Sequence, residues 1–230
     1  MIWVLDPVAA RRALSARLLR CPGCGERLRP WGRARVRRVR DTDGVVELAP
    51  DRARCTGCAA THVLMAATVV PRSGYGARIV AAALLAAAGG VGHRRIAADL
   101  ALPVGTARDW CRRAHRGAAT LTASVARIAQ QLGAAVRPED APMPTALAEA
   151  LNVAGAVAAA LADVLEAAAR PQATVGASGV GYLRELATAH LHGLARHLRL
   201  AAIPADAADA ATPLGLLTVV TGGLLPAPAR

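Results

Sequence analysis

Four cysteines fall in two pairs of identical spacing, Cys21-x2-Cys24 and Cys55-x2-Cys58, with thirty residues between the pairs. Thiolates two residues apart can reach one ion from a single tight turn, and Gly23, Gly25 and Gly57 permit such turns. Four thiolates together make the closed tetrahedral shell of a structural zinc site. A catalytic zinc would keep an open position, which this set denies it. Iron in similar knuckles is the alternative metal, but the segment holds only Trp31 to shield a redox centre. A disulfide pair or redox dithiol fits poorly, because no secretory signal is visible and such cysteines are more often ligands in a reducing compartment. His62, four residues after Cys58, could compete as a ligand but reads as a solvated strand histidine. The expected ligands are Cys21, Cys24, Cys55 and Cys58, and the metal's expected role is to hold the fold.

The spacer between the knuckles reads as its own hairpin. "RARVRRVR" (33–40) and "GVVEL" (44–48) flank the turn "DTDG". Two knuckles bracketing β-strands resemble a zinc ribbon. Arg33, Arg35, Arg37, Arg38 and Arg40 form either a stripe against phosphate or the wet face of a strand. The alternation slips between Val36 and Val39, so Arg37 and Arg38 cannot share one regular face without a bulge.

A second kind of chemistry is offered downstream. "PRSGYGARIVAAALLAAAGG" (71–90) predicts a helix capped by Ser73 and ended by Gly89-Gly90. A helix over Arg94–Leu100 follows, with Ile96 and Leu100 on one face and Ala97 small enough for close helix contact. "ALPVG" (101–105) breaks it, and Thr106 is the N-cap expected for a second helix, "ARDWCRRAHR", whose Ala107, Trp110 and Ala114 face inward. Cys111, the odd cysteine, reads as a partly buried small residue. The run "RRIAADLALPVGTARDWCRRA" resembles the helix-turn-helix of bacterial transposases, in a homeodomain-like three-helix unit that starts at Tyr75. Ile96-Ala97 and Trp110 match that pattern. Ala101 stands where the family's turn opens with Gly, and Ala107 where a β-branched residue is common. The resemblance implies a second helix lying in the major groove of double-stranded DNA. Arg108 and Arg112 would then face guanine, and Asp109 would accept from cytosine or orient an arginine. Arg94, Arg95, Arg113 and Arg116 would touch phosphate, and Thr106 would lie at the interface.

Charge is distributed in the same sense. Residues 1–120 hold 21 Arg and 8 acidic residues, and residues 121–230 hold 7 and 8, which places the whole +12 excess in the first half. There is no Lys, and aromatic residues make up only 2%. That bias suits GC-rich coding and discounts the raw Ala and Arg counts. A localised basic surface draws polyanions. Ile79–Gly92 is uncharged for 14 residues, too short to cross a bilayer, and the 20 uncharged residues Ala210–Ala229 are interrupted by Pro213, Gly215, Gly222, Gly223, Pro226 and Pro228. The chain therefore reads as cytoplasmic and nucleoid-associated, with no membrane partner.

The remainder is Ala-rich and nearly neutral. Helices are expected over 118–133, over 146–169 with Thr145 as cap, and over 182–200, with loops at 137–145 and 171–181 and a short helix within 212–228. His190, His192 and His197 lack the four-residue spacing of a helical metal pair. No phosphate loop, nucleophile motif or metal-binding carboxylate cluster is present.

The expected fold is mainly α. A helix and small β zinc ribbon occupy 1–70, a three-helix helix-turn-helix unit 71–117, and Ala-rich helices 118–230. The expected function is a non-enzymatic, zinc-containing, sequence-specific DNA-binding protein, either a transcriptional regulator or a transposase-derived recognition protein. Residues 118–230 would serve a homo-oligomer or a protein partner. Two rivals stay open: a transposase whose nuclease is unrecognised or supplied by a partner, and a protein- or RNA-interaction module.

Overall fold

A computed structural model describes residues 1–4, 6–70, 73–132, 136 and 138–169. In chain order the elements are β1 (Ile2–Val4), α1 (Pro7–Ser15), β2 (Leu28–Arg33), β3 (Arg37–Asp41), β4 (Gly44–Leu48), β5 (Asp51–Cys55), β6 (Thr61–Ala66), α2 (Ala77–Ala88), α3 (His93–Asp99), α4 (Val104–Leu132) and α5 (Ala146–Ala169). The expected helix at 182–200, its three histidines, the loop at 171–181 and the segments at 210–229 lie outside the described residues.

The described residues fall into two compact units. The first contains Met1–Val36 and Ala49–Ala66, and the second contains Arg37–Leu48 and Ala67–Ala160.

In the first unit, four strands form one sheet in the order β1-β6-β5-β2. β1 runs parallel to β6, and the other pairings are antiparallel. α1 starts where the Asp6 carboxylate accepts the amides of Val8 (2.7 Å) and Ala9 (3.2 Å), with Pro7 in the first helical position. It ends at Ser15, and two residues on Arg17 has a φ of 57°, which no longer continues a helix. Ala10, Ala13 and Leu14 from α1 pack with Ile2, Val4, Leu19, Leu28, Ala53 and Leu64, and Cys21 and Cys55 belong to the same core.

In the second unit, β3 and β4 form a hairpin with Asp41 opposite Gly44. This hairpin is tied to the helices. Arg40 exchanges backbone bonds with Gly74 and Gly76, both 2.8 Å. Its guanidinium donates to the carbonyls of Ala101 (2.7 Å) and Leu100 (3.0 Å). The Asp41 carboxylate accepts the Ile79 amide at 3.0 Å, capping the start of α2. Gly76 is required at that contact, since a Cβ there would lie 2.3 Å from the Asp41 carboxylate. Ser73, expected to cap the helix, instead accepts the Tyr75 amide at 3.1 Å, and α2 begins four residues later.

α4 buries Ala107, Trp110, Ala118, Leu121, Val125 and Ile128 at helical spacing. Trp110 is 3% exposed and meets Tyr75 edge-to-face at 5.1 Å. α5 begins as the sequence suggests, with Thr145 Oγ1 accepting the Ala148 amide at 3.1 Å.

The mainly α expectation is overturned. Six strands in two sheets stand beside five helices among the described residues. The compact three-helix unit ending near Gly117 is overturned as well. The helices expected over 107–116 and 118–133 are one 29-residue helix, α4, which runs through Gly117. A mid-helix Gly costs only about 1 kcal/mol, less than the apolar stripe on either side of it recovers. Thr106 accordingly lies inside the first turn of α4 and not at its cap. The alternation slip at Val36 also has its reason here. Strand β2 ends at Arg33 and a new strand, in a different sheet, begins at Arg37.

Candidate metal centre and a basic helix face

The first cysteine pair precedes β2, and the second joins the end of β5 to the turn before β6. The β2–β5 register sets Leu28 opposite Cys55, which brings the two turns side by side. The turns are built alike. The Cys21 amide donates to the Glu26 carbonyl (2.7 Å), and the Cys55 amide to the Ala60 carbonyl (2.9 Å). Four residues after the first cysteine of each pair, the backbone is left-handed: Gly25 has φ 78° and Ala59 φ 59°. The sequence points to Gly25 through its residue type, but an alanine gives no such signal. Gly57 has a different role, since a Cβ there would meet the Glu26 side chain at 2.7 Å.

The four Sγ atoms lie within 4.8 Å of one another. Cys21 Sγ is 3.8 Å from Cys58 Sγ, and Cys24 Sγ is 3.3 Å from Cys55 Sγ. These are cross-knuckle neighbours, too far apart for S–S bonds of about 2.05 Å. Sulfurs at about 2.3 Å from one tetrahedral ion would stand roughly 3.8 Å apart. The set fits a single metal ion. Cys21 and Cys55 are buried, whereas Cys24 and Cys58 are exposed, so the site joins the core on one side and meets solvent on the other.

The local field separates the exposed pair. A backbone hydrogen bond from Glu26, followed by the Cys55 thiol, lowers the Cys24 thiol to about 7. At Cys58 the Ala60 backbone favours the thiolate, but sharing protons with Cys24 and Cys55 outweighs it and pushes the group up to about 11. His62 is placed differently from its sequence reading. Its Nε2 lies 3.4 Å from Cys21 Sγ, half-buried beside the cluster. β6 explains this, because Ala53 pairs with His62 and brings it alongside the knuckles.

In the second unit, α3 and α4 pack together across a short turn. Ala101 opens that turn with φ 46°, the left-handed conformation that favours glycine. Arg108, Arg112 and Arg116 are exposed and recur every four residues on the side of α4 opposite Ala107 and Trp110. Asp109 lies between two arginines, 3.9 Å from Arg108 Nε and 4.0 Å from Arg113 Nη2. Arg94 and Arg95 are exposed on the first turn of α3, but Arg95 is held by Asp99 through bonds of 2.9 and 3.0 Å. Thr106 and Arg113 are half-buried. Cys111 is half-buried too, and burial pushes its thiol up. Of the hairpin arginines, Arg40 is committed to backbone carbonyls, and Arg38 lies 3.7 Å from Glu47. No described helix is long and apolar enough to cross a membrane.

No curated protein and no solved structure matches the chain. Nothing found connects it to the transposases that part of its sequence resembles. Residues 21–110, from the first cysteine of the cluster to Trp110, match the model of a domain of unknown function (DUF6431).

Proposed function

We propose that this is a non-enzymatic, zinc-containing protein that binds double-stranded DNA and reads its sequence with the N-terminal half of α4, as a transcriptional regulator or a transposase-derived recognition protein. Zinc would be held by Cys21, Cys24, Cys55 and Cys58. Its contribution there is a cross-link between two turns in a unit whose core is small.

The DNA reading rests on one observation. Arg108, Arg112 and Arg116 project from the face of α4 opposite its buried stripe, so the helix can approach a groove without disturbing its own packing. Arg can satisfy two acceptors of guanine at once, and Asp109 can orient Arg108 for that role. Arg94, Arg95, Arg113 and Arg116 are assigned to phosphate, with Thr106 at the edge of the interface.

The test is affinity for a site selected from a random duplex library and for a scrambled duplex. Arg108→Ala is expected to lower affinity for the selected site by about 1–3 kcal/mol and to relax preference at one base pair. Equal weakening on both duplexes would remove base reading from this residue. Metal-dependent cleavage of the duplex would favour a transposase with its own nuclease. Salt-insensitive capture of a protein partner, with no duplex binding, would favour an interaction module.

A further inference from the structure

The sheet of the first unit presents a second basic surface, built on side chains other than those of α4. Leu28, Ala53 and Cys55 are buried, so strand alternation turns Arg27, Arg29, Arg52 and Arg54 to the other face of β2 and β5 and of the residue leading into β2. Arg29 and Arg54 are directly opposed across the two strands. Like charges in that position repel. Here both guanidiniums lie over one indole, with Arg29 4.9 Å and Arg54 4.7 Å from the ring centroid of Trp31. Trp31 is 41% exposed and contributes to no core. None of the four arginines pairs with a carboxylate among the described residues, although Arg11 and Arg33 in the same unit both reach Asp51. Surfaces kept basic only for solubility usually intersperse the two signs.

We propose that this face is a sequence-independent anchor for the phosphate backbone of duplex DNA, with Trp31 as the positioning residue. It rests on the DNA-binding reading above but on different side chains. Stacking engages the π face of each guanidinium and leaves its in-plane N–H donors free to fork onto phosphate oxygens. It also fixes two long side chains beforehand, so less freedom is lost on binding. The indole already carries two guanidiniums and is not offered to an unstacked base, which favours backbone contact over single-strand stacking.

The experiment measures affinity of the full-length, zinc-loaded protein for a labelled duplex between 50 and 200 mM salt. Removing two phosphate contacts in Arg29→Ala/Arg54→Ala should reduce the slope of log affinity on log salt by about two, which narrows the affinity ratio across that range by about tenfold. Zinc content should be unchanged. Should that variant lose zinc, Arg29→Gln/Arg54→Gln repeats the test with the side-chain stems kept. Trp31→Leu should weaken binding, and Trp31→Tyr should restore it. A slope unchanged in a zinc-loaded variant overturns the proposal, as does tighter binding to a single strand with quenched Trp31 fluorescence. Arg108→Ala/Arg112→Ala, run in parallel, separates the two ideas. Lost base preference with an intact ribbon slope leaves the α4 reading standing alone. A reduced ribbon slope with no effect of the α4 pair leaves this anchor standing alone. If the parent binds no duplex at 50 mM salt, both fall.

Discussion

The Arg40 guanidinium donates to the Ala101 carbonyl at 2.7 Å, across 61 residues of chain. Its second nitrogen reaches the neighbouring Leu100 carbonyl. A hairpin side chain thereby satisfies carbonyls at the end of α3, at the turn whose first residue is left-handed. Arg40→Ala should destabilise the second unit by about 1.5–3 kcal/mol, the range for hydrogen bonds from a charged donor. Urea denaturation followed by circular dichroism measures this. An unchanged midpoint would mean that water replaces the guanidinium without loss.

The cysteine cluster predicts about one zinc per chain. Cys24→Ser should abolish stoichiometric zinc and unfold the four-stranded unit while most helicity remains. Elemental analysis and circular dichroism of protein purified under reducing conditions read both. Iron in place of zinc, or a metal-free protein with an intact sheet, would contradict the assignment.

Trp110→Ala should cost about 3–5 kcal/mol, because a buried indole and its contact with Tyr75 are both lost. A shift of the thermal midpoint by less than a few degrees would place little weight on this ring.

Local patterns carried some of this architecture and missed the rest for identifiable reasons. Cys-x2-Cys spacing, the Thr145 cap of α5 and the inward phase of Trp110 are properties of neighbouring residues, and they read directly. The cap of α2 comes from Asp41, 38 residues upstream of the amide it accepts, so Ser73 was the only candidate that local reading could offer. His62 reaches Cys21 only through the pairing of β6 with β5. Ala59 and Ala101 adopt conformations that their residue type disfavours by roughly 1–2 kcal/mol, and composition conceals such positions. β1 is three residues long and pairs in parallel with a strand nearly sixty residues away, which leaves no periodicity to detect.

The hairpin's place in the chain has one more consequence. It is spliced between the two knuckles, yet its hydrogen bonds go to the helical unit. Neither unit can therefore be excised as an uninterrupted stretch of polypeptide. A fragment starting after residue 70 would leave behind the guanidinium and the carboxylate that cap α3 and α2. A fragment stopping there would carry a hairpin stripped of its acceptors. An ion joining Cys24 to Cys55 would also tether both ends of the thirty-residue segment that contains the hairpin, and so reduce the conformations open to it before it pairs. Metal binding would then favour closure of the hairpin itself, through polymer connectivity alone, while the helices form without it.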